Sequence, residues 1–125
     1  MKMKEIVISR RRWLRGEQPT GSWLRGRNGG KQCCLGFVCR AFGVPLGGIE
    51  NVPMPYVIDS KHQARLPKWL LDEKEGSAVE NAAYINDNDS ITDDVRERKI
   101  TAIFKRHGLK AVFKPYAHAM FMCKR

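Results

Sequence analysis

The sequence predicts an α+β fold: a single domain, residues 1–125, with a short, mainly antiparallel sheet packed against two to four helices. Three observations predict it. Apolar, β-branched runs bounded by charge stand near both ends, "KEIVI" at 4–8 and "LKAVFK" at 109–114. Apolar residues at helical spacing, closed by glycine, lie between them in "CCLGFVCRAFG" and "ITDDVRERKITAIFKRHG". A chain of 125 residues with 42% apolar composition can bury a core of its own without metal or disulfide staples.

The elements follow in order. After the first strand, "SRRRWLRGEQ" either begins a helix at Ser9 or stays a loop, because Gly16 and Pro19 stop any helix quickly. "SWLRGRNGGKQCC" reads as a hairpin turning at Asn28-Gly29, residues that accept the positive φ a two-residue turn requires. Trp23 and Arg25 would share one face of it and Leu24 the other. In the next helix Leu35, Val38, Cys39 and Phe42 make one buried stripe, and Gly43 and Pro45 end it. "VPLGGIENVPMP" reads as loop, with at most a short strand at 56–58. "LPKWLLDEKEG" reads as one short helix anchored by Trp69 and Leu70, and "AVENAAYI" as another. The strongest helix has Thr92 as its cap and Asp93 and Asp94 at the positive end of its dipole. Ile100, Ile103, Phe104 and His107 form its inward stripe, and Gly108 stops it.

Charge is large and uneven. The net charge is +10. Residues 1–40 carry ten Lys/Arg against two acids, residues 41–95 four against ten, and residues 96–125 nine against one. If the basic ends meet in space, one face attracts nucleic acid, an anionic membrane or an acidic protein. The alternative is that the acidic middle pairs with them internally. No apolar run is long enough to span a membrane, and "MKMKEIVISRRR" is no signal peptide, so no membrane partner and a cytosolic location are expected.

Cys33, Cys34, Cys39 and Cys123 are expected as free thiols. Their spacing does not fit zinc. "NDNDS" (86–90) lacks the Gly and Glu of a calcium loop and reads as a turn. "RNGGK" lacks the spacing of a phosphate loop. No metal and no cofactor are expected.

The tetrad WLRG occurs twice, at 13–16 and 23–26. Ten residues are too few for a structural repeat. Each copy offers a Trp beside an Arg, the stacking-plus-cation pair used on single-stranded nucleic acid. Equally, both Trp can cover the core while the Arg stems lie over them. The candidate binding residues are Arg10, Arg11, Arg12, Trp13, Arg15, Trp23, Arg25, Arg27 and Lys31.

A cysteine at a helix N-terminus has its thiolate favoured by the dipole. The run Cys34–Leu35–Gly36–Phe37–Val38 loosely resembles the nucleophile segment of NlpC-type cell-wall cysteine peptidases, with Leu35 where a small residue belongs. On that reading Cys34 or Cys33 would be the nucleophile, and His118 its base. Cysteines buried as small apolar residues are the alternative.

The order WLRG, then "CCLGF" with a Gly-ended helix, a Pro-rich loop, "LPKWL", "INDND" and a final helix resembles small uncharacterised proteins of tailed phages and prophages. The resemblance spans Trp13 to Val112 and is most specific at Cys33–Cys34–Leu35–Gly36. It implies a protein of the bacterial host cytosol and brings no activity. Three functions follow as expectations. The first is a non-enzymatic basic protein engaging nucleic acid or an acidic host complex that handles it, in transcription or defence. The second is a cysteine-dependent hydrolase, and the third an accessory part of a phage assembly.

Overall fold

The structure is a computed structural model that describes residues 3–16, 23–26 and 30–115. Arg27, the Asn28-Gly29 turn, His118 and Cys123 lie outside those residues.

The first strand, β1, is Lys4–Ser9, and the last, β2, is Leu109–Lys114. They pair with each other, in parallel, in register from Lys4 beside Leu109 to Ser9 beside Lys114. The sheet is therefore parallel, which corrects the mainly antiparallel expectation. The reason is topological: the strands stand at opposite ends of the chain, and all the helices form the crossover between them. The basic ends do meet.

Among the described residues five α-helices cross over, more than the two to four expected. Three do the packing: α1 (Cys34–Ala41), α4 (Ala78–Asp87) and α5 (Asp93–Arg106). The others, α2 (Leu46–Ile49) and α3 (Ser60–Gln63), are single turns. The first of them lies within the segment expected to be loop. Two 3₁₀ turns add Pro55–Val57, where a short strand was conceivable, and Lys68–Leu71, where an α-helix was expected. Pro55 opens its turn with a fixed φ and no N–H to give a sheet. Pro67 stands one position outside its turn, as the cap.

The helix ends obey local chemistry. Thr92 Oγ1 accepts the Val95 N–H at 3.3 Å, and Ser77 Oγ accepts the Glu80 N–H at 3.4 Å. α1 closes through Gly43 at φ +94°, with Gly43 N–H bonded to Arg40 O at 3.0 Å and Val44 N–H to Cys39 O at 3.1 Å. Gly108, at φ +77°, turns the chain from α5 straight into β2.

The core lies on one side of the sheet. Ile6 and Ile8 of β1 face Leu35, Val38 and Cys39 of α1, with Val79 and Ala82 of α4 and Ile100, Ile103 and Phe104 of α5 completing it. His107 is exposed at the C-cap and stacks on Trp69 at 4.4 Å rather than joining that stripe.

A second, irregular layer holds the tetrads. After Ser9 the chain makes a turn, not a helix, with Arg12 N–H on Ser9 O at 3.0 Å. Leu14 N–H then bonds Gln32 O at 2.7 Å, and Gln32 N–H bonds Arg12 O at 2.9 Å. On the other side of the 31–33 segment, Cys33 N–H bonds Trp23 O at 3.1 Å and Gly26 N–H bonds Lys31 O at 2.9 Å. Leu24 N–H and Asn51 N–H extend the layer, bonding Val52 O and Arg25 O at 2.8 Å each. Both tetrads thus flank one short extended segment.

Candidate functional site

The first tetrad faces inward. Trp13 is 2% exposed. Its Nε1–H donates to Asn86 Oδ1 at 2.7 Å, and its ring lies 5.1 Å from that of Phe113. Asn86 is a buried hub: the same oxygen accepts the Cys34 N–H at 3.0 Å, its Nδ2 donates to Leu14 O at 2.9 Å, and its carbonyl accepts the Gly16 N–H at 2.8 Å. Arg15 lies over the Trp13 ring at 4.5 Å, pairs with Asp93 at 3.0 Å, and donates to the carbonyls of Arg10 and Trp13, both at 3.0 Å. The Arg15 hydrogen bond holds Asp93 below the usual carboxylate range, with Arg96 contributing.

The second tetrad is turned the other way. Leu24 is fully buried and Trp23 is 44% exposed. Trp23 and Arg25 stand away from Leu24, as alternation predicts. Arg25 pairs with Glu50 at 2.8 Å.

These positions sort the nine candidates. Arg10 grips Glu97 with two bonds, 2.8 and 2.7 Å, and reaches Phe113 O at 3.3 Å, so its charge is spent across the β1–β2 end. Arg15 and Arg25 are likewise committed to Asp93 and Glu50, and Trp13 has no face left for a base. Arg10, Trp13, Arg15 and Arg25 thus each hold a structural partner far along the chain. Arg11, Arg12 and Lys31 are exposed and form no ion pair among the described residues. Backbone bonds gather them: Arg12 O to Gln32 N–H, and Lys114 O to Arg10 N–H at 3.1 Å, which brings exposed Lys114 beside them. Trp23 borders the same edge through Cys33. Arg27 is outside the described residues.

A shallow groove of about 400 Å³ adjoins this rim, between Arg15, Lys31 and Arg96 on one hand and Asp89 and Asp93 on the other. Its mixed charges make it no anion pocket.

The cysteines point away from nucleophilic chemistry. Cys33 caps α1, and Cys34 is its first residue, as a dipole-activated thiol requires. Both are buried, however. Burial pushes the Cys33 thiol up to about 12 and raises Cys34 and Cys39 as well. Cys34 Sγ lies 4.0 Å from Ala82 O, inside the core. Desolvation outweighs the helix terminus. No cluster of three or more His, Cys, Asp or Glu able to hold a metal occurs among the described residues. In "NDNDS", Asn88 Oδ1 accepts the Ser90 N–H at 2.8 Å, a turn before the Thr92 cap.

Sequence reasoning passed over Asn86, Arg96 and Glu97. Arg96 is 4% exposed and holds Asp93 and the carbonyls of Asn88 and Ile91. One signal was available: Asn86 follows Val79 and Ala82, and Arg96 precedes Ile100 and Ile103, at helical spacing. A polar residue on an apolar stripe marks a buried polar hub.

No protein-family model, curated protein or solved structure matches this chain. No helix among the described residues is long and apolar enough to cross a membrane.

Proposed function

We propose that this is a small, non-enzymatic nucleic-acid-binding protein of the bacterial cytosol, of the phage or prophage kind its sequence resembles. The observation that carries this reading is the pairing of β1 with β2. It joins the two basic segments and leaves Arg11, Arg12, Lys31 and Lys114 exposed along one rim, while Glu97, Asp93 and Glu50 are taken up by other arginines and Asp89 stays near Lys31 in the groove. Unpaired cations on a common edge attract phosphates. Trp23 at that edge adds a ring on which an unpaired base can stack.

Anisotropy of labelled single- and double-stranded DNA and RNA across a salt series tests the reading. Log affinity falls linearly with log salt, and Arg11→Ala/Arg12→Ala/Lys31→Ala flattens the slope by about 0.9 per lost phosphate contact on duplex and about 0.7 on single strands. Trp23→Ala weakens single-strand binding by about 1–3 kcal/mol and leaves duplex binding alone. Absence of binding at physiological salt, or a slope the triple variant leaves unchanged, overturns it.

A further inference from the structure

Among the described residues, strand β1 has one paired edge and one open edge. Lys4 and Arg10 N–H bond Gly108 O and Lys114 O, both at 3.1 Å. In a parallel register this commits the main-chain groups of the even-numbered residues to β2 and aims those of Glu5 and Val7 the other way. Among the described residues nothing bonds the Glu5 or Val7 main chain on that side. The side chains there are uncovered too: Val7 is 48% and Met3 36% exposed. An open, β-branched edge beside exposed apolar side chains is a template for another strand.

We propose that the strand it takes is β1 of a second copy, antiparallel, with Glu5 of each chain opposite Val7 of the other. This register satisfies the N–H and C=O of both residues in both copies, and it makes a four-stranded sheet ordered β2–β1–β1–β2. The neighbouring registers are poorer. Sliding so that Val7 faces Val7 calls on the Ser9 carbonyl, already held by Arg12 N–H at 3.0 Å, and sets Lys4 against Arg10. Sliding the other way sets Glu5 against Glu5. In the favoured register each Glu5 lies between Lys110, its partner across the sheet, and Val7 of the second copy. Glu5 is the single acid in residues 1–16, so the axis carries less positive charge than the rest of the basic end. The contact is isologous and closes on itself, which limits it to a dimer.

The test is the mass of the full-length protein by sedimentation over a wide concentration range, at low and high salt. The net charge of +10 makes the two copies repel, so added salt strengthens the dimer, whereas it weakens any binding to phosphates. Val7→Pro weakens the dimer roughly tenfold or more, since it removes from each copy the N–H that the second strand needs and none that β2 uses. Cross-linking reads the register independently of that variant. In a Cys123→Ser background, a mixture of Glu5→Cys and Val7→Cys chains oxidises to a covalent dimer, while Val7→Cys alone does not, its two sulfurs being diagonal and out of reach. A monomer at every concentration in high salt, a dimer indifferent to Val7→Pro, or self-linking of Val7→Cys in preference to the mixture overturns the proposal.

Discussion

The two WLRG tetrads have one sequence and opposite insides. In the first, Trp13 is buried and Leu14 only half-buried; in the second, Leu24 is buried and Trp23 exposed. Each Arg finds an acid, Arg15 on Asp93 and Arg25 on Glu50, from different elements. What decides the orientation is the surface each tetrad meets. The first meets Asn86, whose amide oxygen needs a donor, and the Trp13 indole supplies one. The second meets the first turn of α1, where Gly36 leaves no room: a Cβ there would sit 2.0 Å from Leu24 O. An identical motif therefore encodes no identical role.

The largest test of that contrast is the two tryptophans. Trp13→Ala costs about 3–5 kcal/mol, the range for emptying a large buried site, and leaves Asn86 short of a donor. Trp23→Ala changes stability by about 0.5 kcal/mol or less, as an exposed side chain should. Urea unfolding of both separates them; equal losses would show that the tetrads are equivalent after all. Next comes Gly36→Ala, expected to cost about 3 kcal/mol because overpacking forces α1 away from Leu24. A melting temperature unchanged by it would remove the steric account of the second tetrad.

The response to alkali is a slope with pH rather than a single loss. The folded thiols have raised pKa values, so they stay protonated while those of the unfolded chain ionise from about pH 9. The unfolded state then binds fewer protons, and stability falls as pH rises. Cys33 adds to this fall until its folded pKa of about 12 is passed. Denaturant titrations between about pH 8 and pH 11 read the slope, and Cys34→Ala shallows it. A flat profile would place the thiols in water. Of the two tetrad arginines the smaller effect is that of Arg25→Ala, at about 0.5 kcal/mol, since Glu50 is half-exposed. Arg15→Ala, whose side chain also covers Trp13 and holds two carbonyls, loses about 1–2 kcal/mol. Reversed ranking in thermal melts would break this last part of the comparison.

Elements whose limits are set within a few residues were legible. The Thr92 cap, the Gly43 and Gly108 ends and the β-branched run of the first strand are all local devices, and each stands where pattern puts it. Strand pairing was not legible, because the choice between a hairpin and a crossover is made by helices lying between. The candidate site divides on the same line. That residues 10–31 are basic is plain to read. Which of their cations stay free is decided by Glu97, Asp93 and Glu50, and nothing near Arg10, Arg15 or Arg25 announces those partners.

The pairing of the first strand with the last also sets a timetable. During synthesis β1 emerges early, but its partner follows only after about a hundred further residues. At about 5–20 residues per second, that leaves Ile6 and Ile8 waiting about 5–20 seconds before β2 exists. Such a long-range closure is slow to fold and gives a chain cut short of Leu109 no means of completing its sheet. A nascent or truncated copy would thus display an apolar strand that the finished molecule half conceals.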